Sequence, residues 1–427
     1  MRVNWFSPLP PQRSDIAHYT ARIAPELQRH FEVVYWSTAT APPTSLPPEA
    51  RVQLYDPDDL SGSSVRKALL DGINIYHIGN DTRFHGAIHK VSARIPGIVV
   101  LHDTRLHHFI RYFHENATYI EQARLYYGDE GATYAEEILN GARTIEDHAD
   151  SMPFTPAVLA NAIGAICHSK SAALHVGECS NVPVLELALP FRSLAAPPRL
   201  DRRWAPPYNL IMFGFIGTNR RLLEILHALA AFRLKDKLRL SLCGVLWDEA
   251  LVRSTIDDLG LQDLVRVHGY VPEPDLDAAI ASSHLAFNLR HPTMGETSGG
   301  LLRSWNLATP TLVTNCGSYT ELPDSIVEKI SIETEQEDIL ASLEHLFHDP
   351  RHFARQGEAA RRYAHAHHGP AAYAAALKNA LEDADQLAVR HSAERLIRAV
   401  AEHVPRIEER KILLTHAATR IPSLFAQ

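Results

Sequence analysis

The stretch His291–Leu302, HPTMGETSGGLL, follows a short apolar run, SHLAFNLR (283–290), and leads into LLRSWNLA (301–308), which reads as a helix. Strand, glycine-rich turn and helix in that order is the unit of an open parallel sheet, because each parallel strand must return by a crossover helix. In such sheets ligands sit beyond the carboxyl ends of the strands, where N–H groups of a helix start face an anion. Ser298, Gly299, Gly300 and Leu301 would form that first turn, with few side chains in the way. The turn suits a phosphate or diphosphate. Glu296, just outside it, is a poor neighbour for phosphate but a good acceptor for sugar hydroxyls, so together they suit a nucleotide sugar. An acidic helix cap stabilised by the dipole is the alternative reading.

Working outward, the same rhythm recurs. MRVNWFS, a helical SDIAHYTARIAPELQRH and FEVVYWS come first, then NIYHIG, RFHGAIHKVSARI and GIVVLHD; AIGAICHS and VPVLELAL read as further strands. Proline and charge interrupt at SLAAPPRLDRRWAPP (193–207). The alternation restarts with YNLIMFGFIG, NRRLLEILHALAAF and LRLSLCGV, and continues through LVRVHGYV to TPTLVTN. The chain therefore reads as α/β, two doubly wound Rossmann-like domains in tandem. We expect the first over 1–195, with an aromatic-rich helical insert at about 104–155, a linker over 196–207, the second over 208–370, and C-terminal helices over 371–427 that cross back to the first domain. In that tail Leu396, Ile397, Val400 and Val404 share one helix face, suited to packing on the body, or alternatively to a partner or membrane surface.

Composition narrows the class. With 427 residues, 45% hydrophobic and 22% charged, the chain is long enough for two globular domains. A net charge of −8 offers no broad basic field for nucleic acid. Cys167, Cys179, Cys243 and Cys316 stand far apart, as reduced thiols of a cytosolic protein would. No apolar run is long enough to span a membrane, and MRVNWFSPLPPQ does not read as a signal peptide.

Other strand ends carry chemistry as well. After LIMFGFIG come Asn219, Arg220 and Arg221, two cations able to offset a diphosphate. Arginine at a helix start opposes the dipole, which favours function over a solvated helix end. NIYHIGND places His77 and Asn80, and GIVVLHD places His102 and Asp103, just past apolar strands. A structural hydrogen bond is the ordinary role of either histidine. His107, His108 and His114 follow, but no zinc-ligand spacing is present, and we expect no metal. Ser14 and Asp15 are placed to cap the first helix. The dinucleotide fingerprint, the P-loop and the nucleophile elbow are all missing.

These residues resemble the retaining glycosyltransferases of the GT-B fold, in particular the large family four with its bacterial mannosyl- and glucosyltransferases. The resemblance runs to about Asp383 and is strongest in LRHPTMGETSGGLLRSWNLATPTLVTNCGSYTELPD; SPLPPQRSDIAHYT, LHD, ICHSKSA, FGFIGTNRR and VHGYVPEPDL also fall where the family has counterparts. It implies that Glu296 touches donor-sugar hydroxyls, that Arg220 binds the diphosphate with Arg221 beside it, and that His102 lies near the reacting sugar. It implies that Gly269, Tyr270 and Val271 meet the nucleobase. Two positions depart from the family: Ser304 stands where a second glutamate usually grips the ribose, and Asp15 where glycine follows the N-terminal serine. Glu321 matches a later glutamate with a structural part to play.

The implied activity is retaining, metal-independent transfer of a hexose from GDP-mannose or a UDP-hexose to a hydroxyl of a glycan or lipid-linked glycan. The setting it implies is surface polysaccharide synthesis in the cytoplasm or at the inner membrane face, with no cofactor. A non-catalytic GT-B subunit bound to a partner enzyme and a sugar-nucleotide epimerase are the rival readings.

Overall fold

The structure, a computed structural model, describes residues 1–39, 43–193, 202–382 and 393. The described residues form two compact units: those within 1–167, 173–187 and from Ala374 to Glu382 make up the first, and those within 168–172 and 188–373 the second.

The first unit holds a seven-stranded sheet of β1 (Arg2–Phe6), β2 (Glu32–Ser37), β3 (Arg51–Leu54), β4 (Ile73–Ile78), β5 (Gly97–Leu101), β6 (Ala162–Cys167) and β7 (Val184–Glu186). Its order is β3-β2-β1-β4-β5-β6-β7, with every neighbouring pair parallel. Sheets of this kind are covered on both faces, so their inner strands are apolar without alternation. β5, GIVVL, is buried at every residue. The helix Asp15–His30 follows β1, and its first turn is capped by the Ser14 hydroxyl, which accepts from Ile16 N–H. The span 104–155 carries the helices His107–Phe113 and Asn116–Leu139, the latter kinked at Gly128, and Thr155–Val158 begins at its end.

The second unit holds a six-stranded parallel sheet of β8 (Tyr208–Ile216), β9 (Leu238–Leu246), β10 (Val265–Gly269), β11 (Leu285–Asn288), β12 (Thr311–Thr314) and β13 (Glu328–Ile330), in the order β10-β9-β8-β11-β12-β13. Leu210, Met212, Leu240, Leu242, Leu285, Phe287 and Leu312 share one core with the helices Leu222–Ala231 and Glu335–His348. The chain order of the strands reverses between β8 and β11, which makes the carboxyl ends of that pair the crevice where ligands bind in such sheets.

The end of the expected linker is pinned to this unit. Arg202 donates to the carbonyls of Ala281 and Ala308, each at 2.8 Å, and its burial pushes the guanidinium pKa down to about 10. The first part of the linker, 196–201, and the tail positions Leu396, Ile397, Val400 and Val404 lie outside the described residues. Among the described residues no helix is long and apolar enough to cross a membrane. The four cysteines are free.

Candidate functional site

The turns after β8 and β11 meet at the reversal point of the second sheet. His291 N–H donates to the Asn219 carbonyl at 2.8 Å, fastening one turn to the other. Arg220 and Glu296, expected from the sequence to share a site, are within electrostatic reach of each other, with Arg290 and Tyr319 beside them.

Glu296 is buried and fully engaged on one side. Oε1 accepts from Arg290 Nη1 at 2.5 Å, and Oε2 accepts from the Thr293 hydroxyl at 3.0 Å and from Met294 N–H at 2.7 Å. Burial opposes its ionisation, but the Arg290 charge and these hydrogen bonds outweigh it and hold its pKa below the ordinary glutamate value. A carboxylate accepts about four hydrogen bonds, so Glu296 keeps roughly one acceptor position for a ligand hydroxyl. Arg290 also donates to the Tyr319 hydroxyl at 3.1 Å, and Tyr319 donates to Asn288 Oδ1 at 2.8 Å. Asn288 donates to the Ser298 hydroxyl at 3.1 Å, which in turn accepts from Leu301 N–H and caps the helix Gly299–Asn306. This lattice fixes the acid and the helix start as one rigid piece.

Sequence reasoning missed Arg290, Tyr319 and Asn288. Arg290 had a signal, a cation six residues before the acid at the end of an apolar strand; Tyr319 reaches the site only through the fold.

Arg220 is the opposite case. It is 8% exposed, and its Nε is buried without a partner. Among the described residues no hydrogen bond or ion pair engages its guanidinium. Burial, reinforced by the like charge of Arg290, pushes its pKa down to about 9. Glu296 and Tyr319 offset this only in part. A buried cation with no hydrogen-bonded counter-charge is costly, and such a cost persists where a ligand supplies the anion. The Thr297 hydroxyl, in the loop between Glu296 and Ser298, is likewise buried without a partner. Gly300 faces Phe213, and a Cβ there would meet that ring at 3.5 Å.

Arg221 turns elsewhere. It adopts left-handed backbone, φ 59°, at the cap of the helix Leu222–Ala231. Its guanidinium grips Glu335 through Nη2 at 2.7 Å and Nε at 3.1 Å, and Glu224 at 3.0 Å. These two carboxylates neutralise the helix-start cation, which is why the dipole tolerates it. Ser304 offers no surface for the ribose contact expected there: it is 0% exposed, and its hydroxyl donates to the Gly300 carbonyl at 3.2 Å. Gly269, at φ 65°, ends β10. Tyr270 is 62% exposed, while Val271 packs on the cluster of Ile211, Phe213, Cys243 and Ile280. Phe215 and Val245, opposite each other in β8 and β9, are also exposed, so three neighbouring strands end in apolar surface.

In the first unit, His102 follows β5 and His77 ends β4. Their rings meet with His102 Nε2 2.9 Å from His77 Nδ1. His77 is fully buried against Trp5 and Tyr19, so it orients the half-buried His102. His85, kept neutral by burial with a pKa near 4, bonds to the His77 carbonyl at 2.9 Å. Asp103 accepts from Asn80 N–H at 2.8 Å, and Asn80 Nδ2 donates to the Arg105 carbonyl, so these two shape the loop.

No protein-family model matches the chain, and no curated protein matches it in sequence. Solved structures do. HepE of Anabaena in complex with UDP-glucose superposes with a TM-score of 0.62 at 13% identity, covering 90% of this chain and 100% of that one. Sucrose-phosphate synthase from Thermosynechococcus elongatus gives 0.58 at 13%, covering 90% and 98%. WaaG, a glycosyltransferase involved in lipopolysaccharide biosynthesis, gives 0.56 at 12%, covering 88% and 98%. These neighbours are GT-B glycosyltransferases. At such identities the likeness is one of architecture: two parallel-sheet α/β domains, the GT-B fold.

Proposed function

We propose that the chain is a retaining glycosyltransferase that moves a hexose from a nucleoside diphosphate sugar to a hydroxyl of a glycan or lipid-linked glycan. The observation that carries this reading is Arg220, a buried guanidinium without a partner, set beside the locked Arg290–Glu296 pair and an open helix start. A diphosphate would supply the missing anion, taking hydrogen bonds from Arg220 and from the N–H groups of Gly299 and Gly300. The remaining acceptor position of Glu296 would receive a sugar hydroxyl. The exposed apolar ends of β8, β9 and β10 would take the nucleobase.

Departure of the diphosphate leaves positive character on the sugar carbon. In the retaining course the leaving oxygen helps to take the acceptor proton from the same face. Arg220 and the helix start hold that oxygen's charge in a dry site, so neither a protein nucleophile nor a bound metal enters the step. His102, oriented by His77, is assigned to the reacting sugar. Arg221 positions Arg220 without touching the ligand. The donor is a UDP-hexose or GDP-mannose; the UDP and UDP-glucose complexes of HepE favour the first. WaaG's part in lipopolysaccharide biosynthesis supports a surface-polysaccharide acceptor, and with it a place in the cytoplasm or at the inner membrane face.

Burial of Ser304, which removes the expected ribose contact, favours one rival, a non-catalytic GT-B subunit that binds a partner enzyme. Incubation with UDP-glucose or GDP-mannose and a glycan acceptor separates the two. Release of nucleoside diphosphate that depends on acceptor, and is lost in Arg220→Ala, supports the transferase. The absence of acceptor-dependent release identifies the subunit.

A further inference from the structure

At the other end of the second sheet, Glu328 opens β13, pairing with Leu312 near the start of β12, while Glu296 and Arg220 lie beyond the carboxyl ends of β11 and β8. Around Glu328 stand His345, in the last turn of the helix Glu335–His348, and His352, in the first turns of the helix Pro350–His367. Asp349 joins the two helices and caps the second, with its carboxylate accepting from His352 N–H at 3.1 Å. That tight corner brings histidines seven positions apart face to face, with ring centroids at 4.5 Å.

One ligand atom each of Glu328, His345 and His352 lies within 4.8 Å of the other two. Glu328 Oε1 is 2.9 Å from His352 Nε2 and accepts from Gln356 Nε2 at 2.8 Å. Both rings pack against the buried Phe353 with centroids at 5.2 Å, which limits their rotation. An ion pair between His352 and Glu328 accounts for two of the three groups. It leaves His345 unexplained, since among the described residues no hydrogen bond engages its ring.

We propose that Glu328, His345 and His352 bind a single zinc ion, or a divalent ion of similar ligand preference, that clamps the edge strand β13 to the two helices behind it. Two imidazole nitrogens and one carboxylate oxygen are a ligand set zinc takes at about 2.0–2.2 Å, with water in the remaining position. Ligands of a tetrahedral ion at those distances lie roughly 3.3 Å apart, so small side-chain rotations close the cluster. Gln356 is 3% exposed and holds the carboxylate, the supporting role that outer residues play at metal centres. Its own Oε1 is buried without a partner, an acceptor beside the cluster for a metal-bound water. The three ligands are half-exposed, which gives the ion a way in. The sequence carries no sign of this site, because its ligands come from a strand and two helices in no recognised spacing, and the ion has no part in the transfer reaction proposed above.

The test uses the full chain, stripped with a chelator and titrated with zinc chloride against a chromophoric competitor. Its partner is the double variant His345→Gln/His352→Gln, with circular dichroism checking that the variant is folded. The expected result is one zinc per chain, bound at least tenfold more tightly than in the variant, with a rise in melting temperature that the variant lacks. Cobalt(II) should give a visible d–d band in the unmodified chain alone. Glu328→Gln, which keeps the shape and removes the anion, should lose zinc by a similar factor and stands in should the double variant not fold. Equal zinc uptake by chain and variants would place the ion on other histidines and overturn the assignment; so would no uptake by either.

Discussion

Arg290 and Glu296 bond at 2.5 Å, six positions apart, and both are largely buried. Removing one partner of such a pair strands the other charge in a dry site, at a cost of about 3–5 kcal/mol. We expect Arg290→Met to lose that much in urea unfolding, while Arg290→Met combined with Glu296→Leu recovers most of it. A double variant no better than the single one would mean the pair is not the source of the loss.

Glu296 also sets an acid limit. Its folded pKa lies below the unfolded glutamate value of about 4.3, so the folded state binds fewer protons around that value and stability rises with pH there. The contribution is complete above the unfolded pKa and is lost as pH falls through the lower folded one. Unfolding free energy measured from pH 6 down to 2.5 should fall less steeply in Glu296→Gln than in the unmodified chain. Parallel curves would refute a depressed Glu296.

Arg220 predicts the reverse trade. Because its charge is buried without a partner, Arg220→Met should leave the free protein as stable or more so, by on the order of 1 kcal/mol. Nucleotide at a hundred times its dissociation constant adds about 2.7 kcal/mol to the unmodified chain. That gain, read as a melting shift with UDP or GDP, should vanish in the variant. A variant that loses stability but keeps the shift would place the diphosphate elsewhere.

Ser304 tests the ribose contact expected at its position. With its hydroxyl turned into its own helix, Ser304→Ala should change stability by less than about 1 kcal/mol and leave nucleotide affinity as it was. Ser304→Glu should instead cost several kcal/mol by burying a charge. Tighter nucleotide binding by Ser304→Glu would show that this face of the helix reaches the ligand.

Much of the architecture was legible because buried parallel strands are nearly pure apolar runs: GIVVL, LIMFGFI and TLVT could hardly be anything else. The strands that escaped notice are β3 and β13, RVQL and EKI, short and charged as exposed sheet edges tend to be. The site divided the same way. Glu296, Ser298 and the two glycines announce themselves by spacing within one turn, whereas the direction of a side chain does not follow from sequence. Arg220 and Arg221 are adjacent and chemically alike, yet the left-handed backbone at Arg221 sends one guanidinium towards Glu296 and the other to Glu335, 114 positions on. Ser304 looked available because nothing local shows which face of its helix is buried.

That divergence makes Arg221 a positioning residue, and the pair Arg221–Glu335 its means. The two-point grip on a buried carboxylate fixes the turn that carries Arg220, whose N–H is held by the Gly217 carbonyl at 3.0 Å. Charge-assisted bonds of this kind contribute about 1.5–3 kcal/mol, so Glu335→Gln should destabilise by that order. If Arg221 only positions, the variant should raise KM for the donor as the turn loosens, leave kcat within a few-fold, and retain a nucleotide-dependent melting shift that Arg220→Met abolishes. If instead Arg221 binds diphosphate, freeing it from Glu335 should tighten donor binding, and a lower KM in Glu335→Gln would decide the matter against positioning.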